Sequence, residues 1–259
     1  MLLLIDAGNT RIKWALAAPA AALGEWHAHG AVTHADLPQL AEQIAENGVA
    51  RVVLANVAGP AIRQQLLDLI GSRWPQAVFD DFLSTPECAG VRNGYREPGK
   101  LGCDRFAAAI GARALFPGRA LVVATCGTAT TVDALQPDGT FSGGMILPGL
   151  RLMAASLARG TAQLPEIDWQ AADAASTVAD NTRDAIASGC LAAQSGAIMR
   201  ALDEQQARHG QGQVLCVLSG GAAPAIAPAL CRPFQIVDNL VLTGLHASAL
   251  GSASALAAD

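Results

Sequence analysis

The chain contains few aromatic residues, few charged residues and no cluster of basic ones. Of its 259 residues, 4% are aromatic, with a single tyrosine, and 15% are charged, with a net charge of −5. A protein that binds nucleic acid needs clustered Lys and Arg to contact phosphates, and the sequence has no such run. The composition therefore argues against a nucleic-acid partner, and the mild acidity is typical of ordinary solubility.

Zinc-binding and membrane-spanning patterns are also missing. The six cysteines form no CxxC pair and have no histidine at ligand spacing, so the sequence predicts no zinc site. No apolar stretch reaches membrane-spanning length without Gly, Pro or a charge. The leucines after Met1 are interrupted by Asp6 and follow no basic segment, unlike a signal peptide. We therefore expect a cytoplasmic protein without a membrane partner.

The chain does contain one segment that occurs twice. Residues 2–16, LLLIDAGNTRIKWAL, align without a gap with residues 121–135, LVVATCGTATTVDAL, at an offset of 119. Each reads as two strands joined by a tight turn, with Gly8 aligned to Gly127. Backbone N–H groups and short polar side chains in such turns suit a phosphate. One such turn is common in hairpins, but the pair predicts two lobes that hold one polyphosphate.

The remaining pattern predicts an α/β protein of two lobes, residues 1–118 and 119–259, each a mixed sheet with flanking helices. The predicted strands cover residues 2–5, 11–17, 51–55, 77–82, 121–125, 130–135 and 214–218. The predicted helices cover residues 37–47, 61–74, 104–115, 150–158, 182–208 and 240–253. Residues 84–102 are predicted to be a loop.

Charged residues accompany the first turn and the third helix. Asp6 can orient a hydrated Mg²⁺, and Lys13 can neutralise phosphate charge. At the predicted start of the helix 104–115, Asp104 can take a proton from an attacking hydroxyl, and Arg105 can bind a carboxylate. Alternatively, Asp104 caps this helix, and the spacing does not decide between the two roles.

Three further features are ambiguous in the sequence alone. Tyr95 either lines a pocket or is an ordinary exposed loop residue. The Gly-Gly pairs at 143–144 and 220–221 either let a backbone approach a nucleotide or form turns. Asn181 is expected to cap the helix that begins at Thr182.

Together these motifs resemble those of the type III pantothenate kinases, the family that includes Bvg accessory factor-like proteins. The family belongs to the superfamily of acetate and sugar kinases, heat-shock ATPases and actin, and the resemblance covers nearly the whole chain. The motifs that carry it are Asp6-x-Gly-Asn-Thr with Lys13, Gly102-Cys103-Asp104-Arg105, Gly127-Thr128-Ala129, Gly143-Gly144 with Pro148-Gly149, and Asn181-Thr182 with Gly189. It implies two ribonuclease H-like, actin-like lobes.

The resemblance also implies an activity, a homodimer and a set of site residues. The activity is ATP-dependent phosphorylation of pantothenate to 4′-phosphopantothenate, the first step of coenzyme A biosynthesis, with Asp104 as general base. The implied pantothenate contacts are Tyr95, Gly102, Cys103, Asp104 and Arg105, together with Thr182 of the partner subunit. The implied ATP contacts are Asp6, Ala7, Gly8, Asn9, Thr10, Lys13, Gly127 and Thr128, with Mg²⁺ held by Asp6 through water.

One position departs from the family pattern, and two other functions stay open. The family usually has Asp two residues before the Gly of the second motif, where it helps bind K⁺ or NH₄⁺. This chain has Thr125 there, and a hydroxyl supplies no charge, so a requirement for either cation is left open.

An ATP-binding accessory regulator of transcription, or a kinase for another small hydroxyl substrate, is also compatible with the motifs. Retention of Asp6, Lys13, Asp104 and Arg105 argues against lost catalysis.

Overall fold

The computed structural model describes residues 1–44, 48–167 and 178–256. The strands are β1 Leu2–Ala7, β2 Arg11–Ala17, β3 Ala28–Thr33, β4 Arg51–Asn56, β5 Val78–Asp81, β6 Glu87–Cys88, β7 Val91–Asn93, β8 Ala120–Cys126, β9 Ala129–Leu135, β10 Thr140–Pro148, β11 Val214–Ser219 and β12 Phe234–Ile236. The α-helices are α1 Leu40–Gln43, α2 Pro60–Arg73, α3 Cys103–Leu115, α4 Leu150–Gly160, α5 Thr182–His209, α6 Ala223–Ile226 and α7 Leu240–Leu256. Short 3-10 turns cover Leu37–Gln39, Pro98–Lys100 and Ala227–Ala229. Among these helices, none is both long and apolar enough to span a membrane.

Most predicted strands and helices are present, with ends that move by up to three residues. The predicted helix 37–47 differs, because its described part is a 3-10 turn followed by the short α1, while residues 45–47 lie outside the described residues. The predicted loop 84–102 contains β6 and β7. Strand β3 was also not predicted, since its sequence AHGAVT contains only one large apolar residue.

The chain folds into two compact units. The first comprises Met1–Gly118, Asp138–Phe141 and the segment from Asn239 onward. Its sheet has the order β3-β2-β1-β4-β5, in which β1, β2 and β3 pair antiparallel and β1, β4 and β5 pair parallel. Its core is built from apolar side chains of β1, β2, β4 and α2.

The second unit, Arg119–Pro137 and Ser142–Asp238, repeats this topology. Its strands follow the order β12-β11-β8-β9-β10. The pair β8–β9 is antiparallel, and β11 pairs parallel with both β8 and β12. Its core lies between this sheet and the helices α4, α5 and α6. The predicted duplication of mixed α/β lobes is therefore confirmed.

The first unit includes residues beyond Gly118, where the predicted lobe 1–118 ends. Helix α7 packs on α3 in this unit, and Asp138–Phe141 also belongs to it. The two helices approach through glycines: a Cβ on Gly244 would lie 1.8 Å from the carbonyl oxygen of Ala107, and one on Gly111 would lie 2.5 Å from that of Leu240. Sequence pattern shows that α7 is a helix but not which sheet it covers.

Replacing Gly244→Ala should destabilise the protein by about 1–3 kcal/mol, because the added methyl group forces α7 away from α3. The free energy of unfolding from denaturant titration measures the effect. Gly251→Ala in the same helix is the matched control, since a Cβ there meets no atom within 4 Å. We expect this control to be neutral or stabilising by up to about 1 kcal/mol, and equal losses in both variants would contradict the close-packing argument.

Candidate active site

Three charged side chains converge in the first unit. Asp6 on β1 lies directly opposite Lys13 on β2 in the antiparallel register. Burial raises the pKa of Asp6 to about 7; the positive charge of Lys13 opposes this shift, and the negative charge of Asp104 adds to it. A carboxyl group with a pKa near neutrality, close to both a cation and a second carboxyl group, is suited to bind a metal ion or a proton.

The turn after Asp6 presents its tip to solvent. Gly8 N–H donates to the carbonyl oxygen of Arg11 at 3.1 Å and closes the turn. Asn9 and Thr10, which follow, are exposed. A Cβ on Gly8 would lie 3.3 Å from the Arg11 oxygen, so glycine fits this tight approach.

Asp104 lies in the first turn of α3 and does not cap it. The N-cap residue is Gly102, and no side chain caps the helix. The Oδ1 atom of Asp104 accepts a hydrogen bond from the Arg105 N–H at 2.8 Å. A Cβ on Gly102 would lie 2.7 Å from this Oδ1, so glycine leaves space for the carboxylate. The helix N-terminus favours negative charge at this position.

Arg105 lies next to two aromatic rings. Its side chain is buried, and its Nη1 donates to the Tyr95 hydroxyl at 2.6 Å. The guanidinium carbon lies 5.5 Å from the Tyr95 ring centroid and 5.7 Å from that of Phe141. The two rings are tilted, with centroids 5.8 Å apart. Tyr95 is thus half-buried in an aromatic cluster and is not an ordinary exposed loop residue.

The loop that carries Tyr95 is fixed by main-chain contacts. Gly94 N–H donates to the Phe141 carbonyl oxygen at 2.9 Å, and a Cβ on Gly94 would lie 2.4 Å from that oxygen. The Asn93 Oδ1 accepts from Tyr95 N–H at 3.1 Å, and its Nδ2 donates to the Pro98 carbonyl oxygen at 3.0 Å. Phe141 carried no signal in the sequence, because it reaches the cluster through the pairing of β10 with β7.

Cys103 behaves as a packing residue. Its thiol donates to the carbonyl oxygen of Asn56 at 3.6 Å. Burial, with a smaller contribution from Asp104, raises the pKa of the thiol to about 11. It is therefore protonated at neutral pH and is a poor nucleophile.

The second turn lies in the second unit. Gly127 N–H donates to the Ala129 carbonyl oxygen at 3.0 Å, and Gly127 and Thr128 are exposed. Thr125 pairs with Thr131 in the antiparallel register. The hydroxyl oxygens of Thr125 and Thr131 are buried and have no hydrogen-bond partner in the part of the chain that the structure describes.

The glycines of the later motifs approach the protein backbone. A Cβ on Gly149 would lie 2.1 Å from the Gly127 carbonyl oxygen, one on Gly220 would lie 2.4 Å from that of Cys126, and one on Gly144 would lie 2.2 Å from that of Val132. These close approaches account for the glycines without a ligand.

Thr182 begins α5 in the second unit and is exposed. The Asn181 Oδ1 accepts from Asp184 N–H at 3.0 Å, and its Nδ2 donates to the Asp184 carboxylate at 2.6 Å. Asn181 is thus the helix cap that the sequence predicts. The first unit holds Asp6, Ala7, Gly8, Asn9, Thr10, Lys13, Tyr95, Gly102, Cys103, Asp104 and Arg105, and the second holds Thr125, Gly127, Thr128 and Thr182.

The repeated sheets and their polar turns define a protein of the sugar kinase and actin fold class. A protein from Campylobacter jejuni named for the Baf family of transcriptional activators matches 97% of this chain and 99% of its own, with a TM-score of 0.62 and 17% identity. A protein from Sinorhizobium meliloti named as a 2-dehydro-3-deoxygalactonokinase matches the same shares, with a TM-score of 0.56 and 17% identity. At such identities the likeness shows the fold alone.

Sequence comparison narrows the class to one family. The profile of type III pantothenate kinases matches residues 2–204. The type III pantothenate kinase of Herminiimonas arsenicoxydans is 54% identical over 253 residues, which cover 96% of this chain and 98% of that one. The one from Janthinobacterium sp. (strain Marseille) is also 54% identical, over 257 residues with the same coverage. The chain therefore belongs to the type III pantothenate kinase family, and the predicted resemblance is confirmed.

The raised pKa of Asp6 predicts a pH-dependent difference between the wild type and Asp6→Asn. Between about pH 4 and about pH 7 the unfolded state has released the Asp6 proton while the folded state retains it, so rising pH destabilises the wild type. Over this range we expect the free energy of unfolding of the wild type to fall by up to about 4 kcal/mol. In Asp6→Asn we expect no such fall. Denaturant titrations across this range measure the difference. Asp68→Asn, on the surface of α2, is the control, and an Asp6→Asn effect independent of pH would contradict the assignment.

Proposed function

We propose that the protein transfers the γ-phosphoryl group of ATP to pantothenate and forms 4′-phosphopantothenate, the first step toward coenzyme A. The observation that carries this proposal is the convergence of Asp6, Lys13 and Asp104 in one unit, where Asp104 raises the pKa of Asp6. Arg105, next to Asp104 in the chain, adds a buried cation for an acidic substrate. The identity of the substrate is supported by family membership.

Asp104 is proposed as the general base on the pantothenate hydroxyl. It is partly exposed, and one of its oxygens is oriented by the Arg105 N–H. A positioned carboxylate that accepts the hydroxyl proton as the new P–O bond forms contributes about 10²–10⁴-fold in rate. The rest of the acceleration in phosphoryl transfer comes from positioning and charge stabilisation.

Arg105 is proposed to bind the carboxylate of pantothenate. Its guanidinium is held in place by Tyr95 and Phe141 before any substrate binds. A planar guanidinium binds a carboxylate in bidentate fashion, which a lysine cannot reproduce. Gly102 and Cys103 supply the adjoining backbone of this proposed site.

The two turns are proposed to contact ATP. The proposed contacts are Asp6, Ala7, Gly8, Asn9, Thr10 and Lys13 in the first unit and Gly127 and Thr128 in the second. The acidic surroundings of Asp6 fit a divalent cation, since Mg²⁺ takes one or two carboxylates and keeps several waters. When bound, Mg²⁺ neutralises charge on the transferred phosphoryl group.

A monovalent cation and a homodimer are the remaining parts of the proposal. The Thr125 hydroxyl can coordinate K⁺ or NH₄⁺ but supplies no charge. Comparison of activity in potassium and in sodium tests whether the enzyme requires a monovalent cation.

Exposed apolar residues on β10 and α4, among them Ile146 and Leu152, support self-association of the second unit. In such a dimer we propose that Thr182 reaches the site of the partner, and a solution mass of one monomer would contradict this.

Asp104→Asn should reduce the rate of pantothenate-dependent ADP release by at least about 100-fold, because the amide cannot accept the hydroxyl proton. ATP affinity should change little, so kcat is the parameter to measure. Asp68→Asn is the control for a general loss of acidic charge. Full activity in Asp104→Asn would remove it as the base, and ATP binding without ADP release in the wild type would favour the regulator instead.

Arg105→Lys should raise the KM for pantothenate by about tenfold or more while the KM for ATP stays near the wild-type value. Lysine keeps the charge but loses the planar, bidentate donor geometry. Tyr95→Phe keeps the ring and removes only the hydroxyl that orients Nη1, so a smaller rise is expected. Steady-state kinetics with each substrate varied in turn measure both effects. An Arg105→Lys variant that changes the two KM values equally would argue against a carboxylate site.

A further inference from the structure

A histidine outside the motif contacts the first turn. His34 follows β3, is partly exposed, and has its Nε2 atom 2.8 Å from the carbonyl oxygen of Gly8. Because a carbonyl oxygen only accepts hydrogen bonds, Nε2 is the protonated nitrogen in this contact. Nothing in the spacing of the motif points to this residue, which lies 26 positions from Gly8.

With the His34 contact, both main-chain polar groups of Gly8 have a hydrogen-bond partner. Its N–H already donates to the Arg11 carbonyl oxygen at 3.1 Å, and its carbonyl oxygen accepts from His34. The peptide groups on both sides of Gly8 therefore have defined orientations, although glycine itself restricts neither of them.

The orientation of the Gly8 carbonyl determines where the next N–H points. In a planar trans peptide the C=O and N–H vectors are antiparallel. With its carbonyl directed at His34, the Gly8–Asn9 peptide directs the Asn9 N–H to the opposite side of the turn. Glycine restricts neither of its own dihedral angles, so without this contact the Gly8–Asn9 peptide could rotate, and a rotated peptide would present a carbonyl oxygen to a bound phosphate.

We propose that His34 is a positioning residue for ATP, which holds the Gly8 carbonyl so that the Asn9 N–H is directed toward a phosphate oxygen. This role rests on the proposed function, since it takes ATP as the ligand of the turn. His34 acts through the Gly8–Asn9 peptide and does not itself contact the nucleotide. One neutral hydrogen bond of this kind corresponds to about a two- to tenfold change in affinity.

The experiment compares two substitutions that separate the donor from the ring. His34→Phe keeps an aromatic ring and removes the N–H donor, whereas His34→Gln keeps an N–H donor of similar reach. Calorimetric titration of the full-length protein with a non-hydrolysable ATP analogue should show about two- to tenfold weaker binding for His34→Phe. His34→Gln should bind within about twofold of the wild type. His29→Phe, an exposed histidine on β3, is the matched control and should not change affinity.

The kinetic readout separates positioning from a general structural effect. In His34→Phe the KM for ATP should rise while kcat and the KM for pantothenate stay within about twofold, because one hydrogen bond of the turn is lost and nothing near Asp104 changes.

Two outcomes would overturn the proposal. Unchanged nucleotide affinity in His34→Phe would show that the donor is unnecessary. A loss of affinity in His34→Gln equal to that in His34→Phe would show that the ring matters instead of its N–H group. The proposed function fails separately, when the wild type binds the analogue but releases no ADP with pantothenate.

Discussion

The antiparallel register of β1 against β2 determines which groups the first turn presents. Three cross-strand pairs of buried residues fix this register: Leu3 with Leu16, Ile5 with Trp14, and Ala7 with Ile12. Side chains alternate along a strand, so Asp6 and Lys13 fall together on the opposite face of the sheet. A slip of one residue would exchange the two faces and would place the carboxylate in the core. The apolar pairs are therefore what stabilises the position of Asp6, and the electrostatics of Asp6 with Asp104 follow from it.

Arg105 is a buried cation, and its position depends on the groups that contact it. Removing a guanidinium from water is costly unless its donors and its charge are satisfied. The Tyr95 hydroxyl accepts one of its N–H groups, and the Tyr95 and Phe141 rings lie close enough for cation–π attraction. Such contacts contribute about 0.5–2 kcal/mol each. They also hold the guanidinium in one orientation, so that a carboxylate can bind with little loss of side-chain entropy.

The sequence predicts the features that depend on residues close together in the chain, and it misses those that depend on contacts between distant segments. The two hairpins, α3 and the adjacency of Asp104 and Arg105 depend on neighbouring residues, and the pattern predicts them. The roles of Phe141 and His34 depend on contacts between distant segments, and neither position shows a local signal. The return of α7 to the first unit is also non-local, since it depends on the approach of Gly244 to Ala107. The motif glycines suggested ligand contacts as readily as turns, and only the structure identifies the backbone atoms they approach.

The two turns share one main-chain hydrogen bond and differ in another. In both, the last carbonyl of the incoming strand accepts from a main-chain N–H at 3.0 Å: Ala7 from Val57 and Cys126 from Ala222. Further along the first turn, the Gly8 carbonyl accepts from a side chain, His34. In the second turn, the Thr128 carbonyl accepts from the main-chain N–H of Gly149 at 2.8 Å.

The C=O and N–H vectors of a trans peptide are antiparallel. Each hydrogen bond to a turn carbonyl therefore directs the N–H of the next residue away from the segment that supplies the donor. The turns therefore differ in one hydrogen bond, which a side chain, His34, supplies to the first turn and the backbone of a glycine, Gly149, supplies to the second. Only the first turn carries a carboxylate, at Asp6, while the second has the hydroxyl of Thr125 in the aligned position. The first turn is therefore suited to a phosphate that carries a metal ion, and the second to phosphate oxygens that accept hydrogen bonds directly.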